Sequence, residues 1–439
     1  MRLRVFQAGE GDCLLLTSAD GKRVLVDGGM PDFYPDHAGP ALARLRGELD
    51  LLYVSHIDND HIGGVLEFLD DQFDWRFYDY QRQAGNTTVR PPKRPRPPAV
   101  KAIWHNAFHL QLDRNTGPIE DALAASAAVL AASSRQADRD EAAYRRELAT
   151  GVSQALRVSN RVRPEELGIP LNKPFGGKLA MARDDLRPLR LGSLRLTVIG
   201  PFPEHVENLR KHWNKFLRDP ENTAALDAIR EEMVDDARRL ESGDVDGFLG
   251  AVERRGREFG AGTTALRKRP GITPPNLASL MLMVDEGGKT VLLTGDGAGE
   301  DVVEGLERVG RLEPGGGIHV NVLKVQHHGA AANVKADFCR RVTADHYVFC
   351  GNGEHSNPEK DVLNRIVDSR LDPGARGSHA GAERPFKLWF TSSVKAAGTV
   401  RREDHMTLVE KTVRERMADS GDRMKAEFLE GDSSFEIRV

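Results

Sequence analysis

Several short apolar runs in this chain stop abruptly on clusters of Gly, Asp and His: RVLVDGG, LLYVSHIDNDHIGG, KTVLLTGD, HVNVLKVQHHG and HYVFCGNGEHSNP. Runs of this length, dominated by Val, Leu and Ile, read as strands, and GVLEFLDD and PEKDVLNRI read as helices that follow two of them. Strands interleaved with helices, with polar clusters just past the strand ends, predict a layered α/β fold whose site lies along one sheet edge. The opening LRVFQAGEGDCLLLTSADGKRVLVDGG reads as an antiparallel hairpin ending in a Gly-rich loop, and NLASLMLMVDEGGKTVLLTGD as a second hairpin.

With 39% apolar and 29% charged residues, the 439-residue chain has the composition of a soluble globular protein able to bury a sizeable core. We expect a single catalytic domain over residues 1–400 and a C-terminal extension, 401–439, of one charged helix and a short strand, SFEIRV. Three segments depart from the strand pattern. Residues 82–98, RQAGNTTVRPPKRPRPP, predict an exposed basic, Pro-rich loop. Residues about 118–160, Ala-rich and charged, and about 204–265, highly charged, read as helical insertions, the second leading into the basic run LRKR. No stretch of about 18 apolar residues occurs and MRLRVFQAGEGD lacks the apolar core of a signal peptide, so a cytoplasmic chain without membrane contact is expected. Cys13, Cys339 and Cys350 lack CxxC spacing, which argues against a disulfide framework and a thiolate zinc site. Any metal must therefore use His and carboxylates. The net charge of −4 gives no global attraction to nucleic acid, so a polyanion would need a local basic patch.

SHIDNDHIGG carries the densest set of ligand-type residues: His56, Asp58, Asp60 and His61. On an extended loop, side chains two positions apart converge on one point while His61 turns to a neighbouring one, a geometry suited to two adjacent cations. Asp296 of TGD and His327 of HHG follow apolar strands in the same way. Alone, the first run is also an ordinary solvated turn; together with TGD and HHG it reads as a metal site. His328 is either the ligand in place of His327 or a proton donor to the leaving oxygen. His355 of GEHSNP is either a substrate contact or a simple loop residue, and Asp60, His328 and His355 are the candidate catalytic residues.

In this order, FQAGEGDCLLL, VLVDGG, VSHIDNDHIGG, NLASLMLMV, VLLTGD, LKVQHHG and GNGEHSNPEKDVL resemble the metallo-β-lactamase-fold hydrolases. The branch they resemble is the hydrolase domain of ComEC, the DNA-uptake channel protein, and its free-standing relatives. The motifs run from residue 3 to about 366 and directly cover about a third of the chain. The resemblance implies an αββα sandwich, two divalent metal ions at one edge and a hydroxide between them as nucleophile. It implies His56 and Asp58 on one metal, Asp60, His61 and His327 on the other, and Asp296 bridging. Asp12 and Asp27 would receive the second N–H of the ligating imidazoles, with a plain turn role left open for Asp12. Two positions depart from the family pattern: Asp58 stands where a second His is usual, and Gly200 where many relatives have a third His for the first metal. Carboxylates in place of imidazoles shift the preference from Zn²⁺ toward Mn²⁺ or Mg²⁺, with zinc kept open. His105 or His109 of WHNAFH either fills the vacancy or is an ordinary strand or surface histidine.

The ComEC-like branch implies a nuclease. RPPKRPRPPAVK beside Trp75, Phe77, Tyr78 and Tyr80 joins basic and aromatic residues as single-stranded nucleic acid requires, although a solvated Arg/Pro loop and a half-buried strand FDWRFYDY account for the same residues. The alternatives are a hydrolase of a small ester, lactone or phosphodiester, and a non-catalytic binding protein. The basic loops also suit cleavage by an activating protease, and the charged insertions either present a solvated face or meet a regulatory protein partner. The sequence leaves the oligomeric state open.

Overall fold

The computed structural model describes residues 1–106, 154–207 and 274–439, apart from positions 156, 165 and 378. His109, the LRKR loop and both expected helical insertions, save their ends at 154–160 and 204–207, lie outside the described residues. In chain order the strands are β1 (Arg2–Phe6), β2 (Leu14–Thr17), β3 (Arg23–Val26), β4 (Leu51–Val54), β5 (Ile103–His105), β6 (Leu189–Leu191), β7 (Leu194–Gly200), β8 (Met281–Glu286), β9 (Lys289–Leu293), β10 (Ile318–Lys324), β11 (Val342–Phe349), β12 (Phe386–Phe390), β13 (Met424–Phe428) and β14 (Ser434–Arg438). The helices used below are α1 (Ala38–Ala43), α2 (Asn59–Gln83), α3 (Gly299–Arg308), α4 (Ala336–Arg341), α5 (Lys360–Leu371) and α6 (Val400–Ala418).

The strands form two mixed sheets, β14-β1-β2-β3-β4-β5 and β13-β12-β11-β10-β9-β8-β7-β6. The hairpins expected at β2–β3 and β8–β9 pair antiparallel, whereas β3-β4-β5 and β9-β10-β11-β12-β13 run parallel. Alternation along each strand sorts its side chains between two faces. Leu14, Leu16, Val24 and Val26 of the first sheet meet Leu282, Val284, Val291 and Leu293 of the second in a shared core. On the far side of the first sheet, Leu25, Leu52 and Val54 pack on Ile62, Val65, Leu66 and Leu69 of α2, and Ala155 and Val158 join them. On the far side of the second, Leu292, Leu323 and Phe349 pack on Val302 and Leu306 of α3, Ile366 of α5 and Val409 of α6. The layers are therefore helix, sheet, sheet, helix: an αββα sandwich.

Two elements differ from the sequence expectation. FDWRFYDY is helical, because the apolar positions Val65, Leu66, Phe68 and Leu69 recur at helical spacing and carry α2 on for 25 residues. The C-terminal segment holds two strands where one was expected: β13 lies parallel to β12, and β14 pairs with β1, so each completes an edge of a sheet. The basic loop is irregular and mostly exposed, as its prolines and charges predict, and it folds back on α2. Arg94 pairs with Glu67 at 2.6 Å and with Asp71 at 3.3 Å, while Arg96 grips Asp79 at 2.6 and 2.8 Å and lies 4.5 Å over the Trp75 ring.

Candidate metal centre

β4 ends at Val54, the chain bends at Ile57 and Asp58, and α2 begins at Asn59. His56-x-Asp58-x-Asp60-His61 therefore straddles a strand end and a helix start, rather than lying wholly on an extended loop. The positive end of α2 favours the carboxylates of Asp58 and Asp60 beside it. Backbone packs directly on backbone here: Gly28 N donates to His61 O at 2.8 Å, and Gly64 N to Gly29 O at 2.8 Å. A Cβ at Gly64 would lie 2.0 Å from Gly28 O, and one at Gly11 1.6 Å from Asp60 O. The glycines of GEGD, VDGG and HIGG thus let two loops touch the first turns of α2. Gly64→Ala is expected to cost about 2–3 kcal/mol, because the neighbouring backbone has to give way. Urea denaturation reads this directly, and an unchanged midpoint at unchanged slope would exclude this packing argument.

Asp296, three residues beyond β9, stands at the centre. Its Oδ1 is 3.3 Å from His61 Nε2; its Oδ2 is 3.4 Å from His328 Nε2 and 3.7 Å from both His56 Nε2 and His327 Nε2. Asp60 Oδ2 lies 2.9 Å from His328 Nε2 and 3.4 Å from His61 Nε2, and Asp58 Oδ2 lies 3.5 Å from His56 Nε2. Ligand-type atoms of Asp60, His61, Asp296 and His328 all fall within 4.8 Å of one another. The Nε2 atoms of His56, His61 and His328 are buried and make no well-aligned hydrogen bond, although that of His328 lies close to Asp60 Oδ2. Buried polar atoms are normally satisfied, so three imidazole nitrogens facing carboxylates without well-aligned hydrogen bonds fit a divalent cation.

The three strand ends therefore bring together His56, Asp58, Asp60, His61, Asp296, His327 and His328. The geometry puts His328, not His327, in the tightest group. His327 sits at the mouth, where its Nδ1 meets Asn333 Oδ1 at 2.9 Å and Asn333 Nδ2 donates to Asp296 O at 2.8 Å. Both histidines have left-handed backbone, with φ 46° and 55°, a conformation that costs energy and recurs at functional sites. His355 is exposed and lines the same small cavity as Glu10, Asp58, Asp60, Glu354 and Asn357. His105 ends β5, with its backbone bonded to the Asn172 side chain at 2.9 and 3.0 Å, and lies outside that cavity's lining. At Gly200 a Cβ would lie 2.2 Å from the methyl of Met281, so the end of that side chain fills the space a residue larger than Gly would need.

Two carboxylates orient the rings from behind. Asp27, at φ 55°, accepts from Ser55 N and Ser55 Oγ at 2.7 Å and contacts His61 Nδ1 at 3.0 Å. Asp12 faces His328 Nδ1 at 3.4 Å and His61 Nδ1 at 3.8 Å. Engaging Nδ1 leaves Nε2 to point into the cluster. Sequence reasoning missed Lys324, whose ammonium is 1% exposed, donates to Gly295 O at 2.9 Å and pairs with Asp12 and with Asp296 at 3.4 Å. The signal was present: a lone Lys inside the apolar run NVLKV. Burial opposes ionisation of Asp60 and Asp296, yet His61 and His328 hold both carboxyls well below the usual range. Burial likewise opposes the charge on Lys324, and Asp12 and Asp296 outweigh it.

Residues 7–73 match the family model of the Metallo-beta-lactamase superfamily. The matched stretch contains Asp12, Asp27 and the whole His56–His61 run. No curated protein matches the chain. The metallo-β-lactamase αββα fold and a His/Asp cluster able to hold divalent metal together indicate a metal-dependent hydrolase. Among the described residues, no helix is long and apolar enough to cross a membrane.

Proposed function

We propose that this protein is a metal-dependent phosphodiester hydrolase acting as a nuclease on DNA or RNA. The reading is carried by the two-lobed cluster, with His56 and Asp58 on one side, Asp60, His61 and His328 on the other, and Asp296 between them. These residues would hold two divalent ions, and the set of three carboxylates and three imidazoles suits Mn²⁺ or Mg²⁺ as well as Zn²⁺. Such ions lower the pKa of water and stabilise charge on the attacking and departing oxygens of a phosphoryl transfer. The N-terminal end of α2 beside Asp58 and Asp60 favours an anionic substrate, and His327 and His355 at the mouth are placed to bind it or protonate the departing oxygen.

One observation favours the second reading, hydrolysis of a small ester, lactone or phosphodiester. Arg94 and Arg96 of the basic loop are already occupied by Glu67, Asp71 and Asp79, and Arg402 beside the mouth is likewise occupied by Glu354. Neither feature attracts a polyanion.

The deciding experiment incubates metal-stripped protein with single- and double-stranded DNA, with RNA and with bis-p-nitrophenyl phosphate. Mn²⁺, Mg²⁺ and Zn²⁺ are added separately, and Asp296→Ala serves as control. Polynucleotide cleavage that needs a metal and is absent from the variant supports the nuclease. Turnover of the small diester alone moves the assignment to the second reading. Ion binding without turnover leaves a binding protein. A protease-activated form would show a gain of activity after limited trypsin cleavage within residues 82–98; no gain removes that idea.

A further inference from the structure

Lys324 closes β10 with its ammonium inside the protein, at 1% exposure, beside the residues assigned above to metal. An ammonium has three N–H donors, and here each has a partner: Gly295 O at 2.9 Å, Asp296 Oδ1 at 3.4 Å and the Asp12 carboxylate. Its own carbonyl accepts from Thr294 Oγ at 2.7 Å. Lys324 thus joins three separate pieces of chain: the β1–β2 loop through Asp12, the end of β9 through Thr294, Gly295 and Asp296, and its own strand, which leads to His328. Asp12 in turn faces the Nδ1 atoms of both His61 and His328.

We propose that Lys324 is a positioning residue for the metal centre: by tying Asp12 to Asp296 it holds the central carboxylate and, through Asp12, the His61 and His328 rings in ligating orientation. The inference rests on the metal site proposed above. The competing account is that Lys324 only neutralises buried carboxylates. The two accounts differ in sign. A mere charge-neutraliser weakens cation binding by repulsion, so its removal tightens binding and leaves the ligand arrangement unchanged. A positioning residue strengthens binding, so its removal loosens the ligands.

The test compares the full-length wild type, Lys324→Met and Lys324→Gln, each stripped and titrated with Co²⁺. Affinity is measured by competition with a chelator, ligand arrangement by the visible absorption of Co²⁺, and folding by circular dichroism. We expect Lys324→Met to bind about 10- to 100-fold more weakly, the usual loss when a group that orients metal ligands is removed, with an altered Co²⁺ spectrum. Lys324→Gln, uncharged but able to donate to Gly295 O and one carboxylate, should recover part of both. A folded Lys324→Met that binds as tightly as wild type or tighter, with the wild-type spectrum, overturns the proposal, and so does Gln behaving the same as Met. Failure of both variants to fold even with excess Co²⁺ also overturns it, since Lys324 would then serve the strand and not the ligands. If the wild type binds no Co²⁺, it is the metal-site reading that fails.

Discussion

Asp296→Ala is expected to remain folded, bind fewer divalent ions and lose at least about a thousandfold in metal-dependent hydrolysis, because one carboxylate serves both halves of the site. Its Oδ1 faces His61 and its Oδ2 faces His56, His327 and His328, so no neighbour can replace it. Folding is expected to survive. Asp296 lies beyond the end of β9, outside the apolar clusters, and Lys324 keeps Asp12 as a partner when it is gone. His61→Ala should cost a comparable amount, since it removes a ring fixed by Asp27 and facing both Asp60 and Asp296. Bound Mn²⁺ per folded molecule and the hydrolysis rate are measured on the same samples. A variant with wild-type ion content and rate would remove Asp296 from the centre.

The second large effect concerns stability. Arg370, fully buried in α5, donates Nε to Ala382 O at 3.0 Å, Nη1 to Ala344 O and to Tyr347 Oη at 3.1 Å, and Nη2 to Arg384 O at 2.7 Å. Its guanidinium also lies 4.7 Å from the centre of the Phe386 ring. One side chain therefore satisfies carbonyls of β11 and of the turn preceding β12. Arg370→Met fills similar volume but strands those carbonyls in an apolar setting, so a loss of about 4 kcal/mol or more is expected. Lysine should not rescue it, having no planar fork to reach several acceptors at once. Urea unfolding gives the loss, and ion binding by the fraction still folded should be unchanged. A loss below about 1 kcal/mol would mean that the carbonyls find other partners.

The elements legible in the sequence were those whose pattern is local. The hairpins β2–β3 and β8–β9 showed as apolar runs around tight turns, and Asp12, Asp27, the His56–His61 run, Asp296 and the HHG pair showed as polar residues released where buried strands stop. One expectation failed locally, and one patch of charge reads differently once its neighbours are known. The aromatic run after Asp71 alternates apolar and polar residues over Phe73–Phe77 as a strand would, yet it extends a helix whose buried face lies upstream, between His61 and Asp71. The basic loop carries charge that reads as free until its acidic partners on α2 are known.

What the sequence by itself determined was the kind of fold and the ligand-type residues, because strand length, apolar content and the chemistry of His and Asp are properties of short stretches. Only the tertiary structure decided which side chains meet. Asp296 lies between His61 and His56, His328 reaches Asp60 while His327 turns to Asn333, and Lys324 is tied to Asp12 from far along the chain. Those contacts depend on how two sheets stack and on single dihedral angles, such as the left-handed backbone at both histidines of HHG. A residue's identity restricts such angles, but packing around it selects among them.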